Sequence, residues 1–374
     1  MGLIMDIYTY SFPTTILFGP GAVSRLQQEC ERRGMRRPLI VTDGGLSMTP
    51  VMARIRELAR GAPVFSAVDP NPTEQNVLEG VAYYREHGCD SIIGVGGGSP
   101  LDAAKAIRLK ATHPLDLAEY DDNIGGDAKI TADVPSYIAI ATTAGTGSEV
   151  GRSTVITIGA TNRKTVIFSP HLMPSLAIDD PELTLGMPRH ITAGTGIDAF
   201  THNVEAYLSK GYHPMCDAIA IAGAKLASEN LPRVLENPKD IEGRGNMMMA
   251  AIMGATAFQK GLGATHSLAH PLSSEFGMHH GTSNAVLLPH VLEFNSAVSK
   301  DRLADLGRQF GADPIERTCE LNRIAGIPPR LRDHGIPERA LPMLADKAIE
   351  DGCHLLNPRP CTREDLLGLY RAAW

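Results

Sequence analysis

The chain has 374 residues, 43% hydrophobic and 21% charged, with a formal net charge of −7. That length exceeds one ordinary core and predicts two domains, while the acidic balance argues against non-specific binding to nucleic acid or an anionic membrane. No apolar run reaches the roughly 18 residues of a membrane span, residues 1–6 lack the pattern of a secretory leader, and the six cysteines form no CxxC pair. A cytoplasmic protein with reduced thiols is expected.

In chain order, residues 38–42, 63–65, 91–95 and 137–141 read as short apolar strands, with helical stretches between them such as 101–109. Such runs predict a mostly parallel sheet covered on both faces. Residues 154–158 and 165–168 alternate like a hairpin added at the sheet edge, joined by 159–163. From about Ile191 the β-branched runs vanish, and residues 214–226, 245–259 and 285–294 read as helices. The expected fold is therefore an α/β half, residues 1–188, and an all-α half, residues 189–374, with a ligand cleft between them.

Five features of the first half carry chemistry. Gly94-Val95-Gly96-Gly97-Gly98-Ser99-Pro100 follows a strand and opens a helix, where bare backbone and free amides suit a pyrophosphate. It does not have the G-x-G-x-x-G spacing of the common dinucleotide fingerprint. Asp102, in the first turn, either compensates the helix dipole or touches ligand. Asp43 stands at a strand end, where a carboxylate accepts from an adenosine ribose and repels a 2′-phosphate; capping the Gly44-Gly45 turn is its other reading. Thr142-Thr143-Ala144-Gly145-Thr146-Gly147-Ser148 is a second small-residue loop after an apolar strand, placed to line the same crevice. Lys164 is either a solvated hairpin charge or a partner for ligand oxygens.

The second half carries a histidine pattern. Asp198 and His202 are four residues apart, as are His266 and His270, and His279-His280 follows. Residues four apart on a helix share a face, and one Asp with three His around a point make a divalent metal site with O and N donors. Spacing alone does not choose between His279 and His280.

These residues resemble the iron-containing (group III) alcohol dehydrogenases, related in fold to dehydroquinate synthase. The resemblance runs from Leu17-Phe18-Gly19-Pro20-Gly21-Ala22 through Asn71-Pro72-Thr73, the glycine loop with Asp102 and Lys105, and residues 143–149. It continues through 198–202, 266–281 and 284–290 to Asn357-Pro358-Arg359-Pro360. It implies an N-terminal dinucleotide-binding domain and a C-terminal helical metal-binding domain. The implied ligands are Asp198, His202, His266 and His280, holding Fe(II), with Zn(II) able to use the same donors. His270 corresponds to a histidine near nicotinamide and substrate that does not bind metal. NAD contacts carry over to Asp43, Asn71, Gly98, Ser99, Thr142, Thr143, Thr146, Val155 and Lys164, beside Gly97 and Asp102 of the glycine turn.

The expected function is reversible hydride transfer between a small alcohol and NAD, with a homodimer or higher homo-oligomer as the assembly. Two departures bear on substrate. The segment from Phe258 to His266 is one residue shorter than in short-chain diol reductases, and Arg152-Ser153 places a cation where many members carry an uncharged residue. Both resemble the branch containing 4-hydroxybutyrate dehydrogenases, and Arg152 could clamp a carboxylate. A maleylacetate reductase generally lacks this metal set. A dehydroquinate synthase-like lyase would need more Lys and Arg near the metal motifs than the helical half supplies.

Overall fold

A computed structural model describes residues 10–160 and 163–374; residues 161–162 of the expected hairpin turn lie outside them. Among the described residues there are eight strands: β1 (Ile16–Phe18), β2 (Pro38–Asp43), β3 (Val64–Val68), β4 (Ser91–Gly96), β5 (Ser136–Ala141), β6 (Ser153–Ile158), β7 (Arg163–Phe168) and β8 (Leu176–Asp179). Six form one sheet, ordered β1-β8-β5-β4-β2-β3, with every neighbouring pair parallel. Alternate residues feed its two faces. Leu39, Val41, Ile92 and Tyr137 enter one apolar cluster, and Ile40, Ile93, Val95 and Ile138 enter the other. Burial on both faces is why these strands read as unbroken apolar runs.

The chain steps outward from β2 to β3, then crosses back to lay β4 on the other side of β2. That reversal opens a crevice beyond the C-terminal ends of β2 and β4, where open α/β sheets hold ligands. Asp43 ends β2 and Gly96 ends β4.

The hairpin differs from expectation. β6 and β7 pair antiparallel with each other but form a separate two-stranded sheet, not an edge of the large one. They lie across helix Gly98–Thr112, where Thr154 Oγ1 donates to the Asp102 carbonyl at 2.8 Å. Ile156, Ile158 and Ile167 face inward and join the sheet's core. Alternation reports one buried face, which an edge strand and a packed ribbon produce alike. β1 and β8 are additions; β8 runs into Asp179-Asp180-Pro181, which reads locally as a turn.

From Arg189 onward the described chain is helical. Every residue from Thr192 to Leu208 of helix Arg189–Leu208 is buried, so over that stretch the helix turns no face to solvent. Helices Pro214–Glu236 and Ile241–Ala257 pack on it, as does His280–Ser296, which begins five residues before the expected 285. The halves share a core, since Ala141 and Ala144 cluster with Ile197, Phe200 and Leu231. No described helix is long and apolar enough to cross a membrane.

Candidate metal centre and cofactor crevice

Three helices bring the candidate ligands together. Helix Arg189–Leu208 carries Asp198 and His202, helix Ala264–Phe276 carries His266 and His270, and His280 opens the helix His280–Ser296. The Nε2 atoms of His202, His266 and His280 stand 3.9, 4.0 and 3.5 Å from Asp198 Oδ1. Such separations are long for hydrogen bonds. They approach the roughly 3.4 Å spacing of donors around an ion held at about 2.1 Å. His266 Nε2 is buried with no hydrogen-bond partner, and Asn284 Nδ2 steadies Asp198 Oδ1 at 2.8 Å. One carboxylate and three imidazoles with a buried, unpartnered nitrogen fit a divalent ion. His279 lies instead against the backbone of Gly194.

Burial pushes His202 down to about 4 and His280 well below its ordinary value, so both rings are neutral at pH 7 and keep a lone pair for a metal. At His266 burial acts in the same direction, but the Glu205 hydrogen bond and charge outweigh it and the ring is raised. His270 points into the same cleft, its ring stacked on that of His280 with centroids 5.4 Å apart. Its Nδ1 is 2.7 Å from Asp351 Oδ2. With Cys353 these two form another three-donor group, but the short contact already pairs two of the donors with each other.

The candidate cofactor residues assemble at the strand ends. Gly97 is the N-cap of helix Gly98–Thr112 and offers no side chain, so the opening amides have no local cap. The Thr142 amide donates to the Gly96 carbonyl at 2.9 Å, bringing the second loop alongside. A Cβ on Gly98 would come within 2.7 Å of Thr146 Cγ2, and one on Gly97 within 3.2 Å of Thr143. Ser99 Oγ donates to the Pro70 carbonyl at 2.5 Å, and the Thr157 amide donates to the Pro72 carbonyl at 2.9 Å. Asn71 is thus held between the glycine turn and the hairpin. Across the switch point, Asp43 Oδ1 accepts from the Leu46 amide at 2.8 Å, capping the short helix Gly44–Ser47.

Asp102 ties these parts together. Its carboxylate accepts from Ser148 Oγ at 2.6 Å and from the Val155 amide at 3.0 Å, joining the second loop to the hairpin. Fully buried Lys105 donates to Ser148 O, Ser148 Oγ and Ser153 O at 2.7–2.8 Å. Burial holds Lys105 down to about 8 against the pull of Asp102 and Glu149. Lys164, opposite Thr157 in the hairpin, is also lowered by burial, with Asp102 opposing.

On the candidate substrate side, the Phe258 ring stands 5.3 Å from that of His202. The next residue, Gln259, accepts from the Ser11 amide at 2.9 Å, and Ser11 Oγ accepts from Arg152 Nη1 at 2.9 Å. Arg152 also covers the Phe168 ring at 5.0 Å. Ser11 thus links Arg152 to Gln259, the residue after Phe258, across 107 positions of sequence. Sequence reasoning missed Glu205, Asp351 and Ser11. Glu205 did carry a signal, because 198, 202 and 205 fall on one face of a helix; Asp351 and Ser11 carried none.

Comparison with known proteins agrees with this architecture. Residues 13–181 match the family described as iron-containing alcohol dehydrogenase, and residues 192–374 match the Fe-containing alcohol dehydrogenase family, C-terminal. The chain is 42% identical over 360 residues to a 4-hydroxybutyrate dehydrogenase of Cupriavidus necator, covering 92% of this chain and 94% of that one. A crystal structure of 1,3-propanediol oxidoreductase superposes with a TM-score of 0.94 at 36% identity, covering 99% and 100% of the two chains. The sulfoacetaldehyde reductase of Bifidobacterium kashiwanohense in complex with NAD+ gives 0.90 at 28% identity, with 98% and 99% covered. With both halves matched and the fold shared end to end, the chain belongs to the iron-containing alcohol dehydrogenase family and is an oxidoreductase.

Proposed function

We propose that the protein interconverts a small alcohol and its aldehyde with NAD(H), residues 1–188 holding the cofactor and residues 189–374 an iron(II) ion. The observation that carries this reading is the meeting of Asp198, His202, His266 and His280 in a cleft that the two small-residue loops also approach. The chemistry supplied by the bound ion is Lewis-acid polarisation of the reacting oxygen, and that supplied by nicotinamide is hydride exchange. Iron is favoured by the family description, although zinc accepts the same donors.

The chain's own residues bind, orient and shield. Gly97, Gly98 and Ser99 present amides to the pyrophosphate. Asn71, Thr142, Thr143, Thr146, Val155 and Lys164 surround the rest of the cofactor, with Asp102 fixing the loops that carry them. Asp43 takes the adenosine ribose and disfavours NADP by charge repulsion. Phe258 excludes water beside His202. His270, held by Asp351 at Nδ1, exchanges the alcohol proton at Nε2.

Within this class we favour an ω-hydroxy acid such as 4-hydroxybutyrate, with succinic semialdehyde in reverse. Among the described residues Ser11 is the one hydrogen-bond partner of the Arg152 guanidinium, which leaves donors for a carboxylate beside Ser153. Two relatives are named for 4-hydroxybutyrate and sulfoacetaldehyde, both anions. We further propose a cytoplasmic homo-oligomer, supported by six free thiols and by β1 at a sheet edge with Phe18 exposed; sedimentation tests the assembly. The deciding experiment is NADH formation by metal-loaded protein from 4-hydroxybutyrate, 1-butanol, 1,2-propanediol and ethanol, ranked by kcat/KM. 4-Hydroxybutyrate should lead. A lead by 1-butanol removes the hydroxy-acid reading, and no NADH from any of them removes the dehydrogenase reading.

A further inference from the structure

We propose that Glu205 is the positioning residue that holds His266 in the tautomer whose lone pair, on Nε2, faces the other candidate ligands, and that it thereby sets the affinity of the site for a metal ion. The proposal rests on the metal reading above and adds a residue outside the ligand set. Glu205 is 4% exposed and lies seven residues after Asp198 on the same helix. The helix carrying His266 starts behind Gly263, which has no side chain with which to cap it. Its opening amides are satisfied from elsewhere in the chain. Gly263 N donates to Glu205 Oε2 at 3.1 Å, Thr265 N to Glu205 Oε1 at 2.7 Å, and Ala264 N to Asn357 Oδ1 at 3.2 Å. A Cβ at Gly263 would stand 2.8 Å from Glu205 Oε1 and 3.0 Å from Asn357 Oδ1, so this close approach requires glycine.

The same carboxylate takes His266 Nδ1 on Oε2 at 2.6 Å. A carboxylate only accepts, so Nδ1 must carry the hydrogen. In a neutral imidazole the lone pair is then on Nε2, the buried nitrogen without a hydrogen-bond partner that faces Asp198. Glu205 therefore does two things with one group: it caps the turn that carries His266 and it aims the ring's lone pair at the other ligands. Partners of this kind fix ligand orientation at many metal sites.

Glu205→Gln isolates this role, because the amide matches the carboxylate in shape but puts an NH2 among three donors. Facing Thr265 it loses that hydrogen bond and leaves His266 Nδ1 only a weaker, neutral acceptor; facing Gly263 and His266 it repels both. Metal-free protein would be titrated with cobalt(II) against a competing chelator, with far-UV circular dichroism and the cobalt d–d bands recorded. Glu205→Gln should bind cobalt(II) about 10–100-fold more weakly than wild type, with altered d–d bands and an unchanged far-UV spectrum. In a His266→Ala background the same substitution should have almost no effect, because no ring remains to orient. Glu205→Asp, which keeps an acceptor-only group, should stand closer to wild type than Glu205→Gln does, and it serves as the test should the glutamine variant not fold. Wild-type cobalt affinity in Glu205→Gln, or an equal loss in the His266→Ala background, would overturn the role of Glu205. Failure of wild type itself to bind cobalt(II) would instead overturn the metal reading, and this role with it.

Discussion

Asp351 Oδ2 lies 2.7 Å from Nδ1 of His270, and the ring it holds is stacked 16° from parallel on that of His280. The carboxylate is itself fixed by Ser267 Oγ at 2.8 Å and the Cys353 amide at 2.9 Å. Burial alone would raise its pKa, but His270 and these hydrogen bonds hold it well below the ordinary range, so Asp351 stays ionised. His270 therefore enters the cleft with one nitrogen committed and the other available to a proton.

That arrangement predicts separable effects on turnover and metal. His270→Phe should lower kcat by about 10²–10⁴-fold and change its pH dependence, while metal content by atomic absorption stays at the wild-type level. Asp351→Asn should reduce kcat by at least about tenfold without metal loss, since the ring loses its anionic partner but keeps its place. Loss of metal from His270→Phe would move His270 into the ligand set.

Arg152 should discriminate between charged and neutral substrates. Arg152→Ala is expected to cost on the order of 2 kcal/mol in kcat/KM for 4-hydroxybutyrate and to spare 1-butanol. Equal losses for both would assign Arg152 to the packing of Ser11 and Phe168 rather than to substrate.

Chelation should abolish turnover. Under anaerobic conditions Fe(II) should restore more activity than Zn(II), despite the tighter binding that Zn(II) commonly shows at N and O sites. Equal or better rescue by Zn(II) contradicts the iron assignment.

Glu149 should give the fold a pH dependence of definite sign. It follows the threonine-rich loop and is buried; burial pushes its carboxyl up to about 7 from 4.5, with its own backbone amide and Lys105 opposing, and its charge adds to the burial that raises the neighbouring carboxyl of Asp179. Between these values the folded state holds more protons than the unfolded one. The contribution of this group is therefore complete below pH 4.5 and lost as pH rises through 7. Glu149→Gln removes that loss. Its Tm relative to wild type should be higher at pH 8 than at pH 5 by a few degrees. An identical difference at both pH values would mean that Glu149 does not titrate in this range.

Some of this was written locally. Asp198 with His202, and His266 with His270, stand out because four-residue spacing on a helix is decided within one turn. The central strands β2, β4 and β5 stand out because a sheet covered on both faces demands apolar residues at every position. The glycine turn after β4 is legible for a similar reason, since bare backbone at a helix start is a property of adjacent residues. Family resemblance was needed to choose His280 over His279, because neighbouring residues share the same spacing to everything else.

Other features existed only after the chain had packed. The hairpin's seat on helix Gly98–Thr112 could not be told from a sheet edge, since both bury one face. β8 became a strand because β1 and β5 flank it, although its end reads as a turn. Glu205 and Asp351 reach their histidines across 61 and 81 residues, and Ser11 reaches Arg152 across 141. Periodicity specifies which face of an element is buried, but not which distant element covers it. The candidate donors are therefore visible in the sequence, whereas the carboxylates that contact their rings depend on how the helices dock.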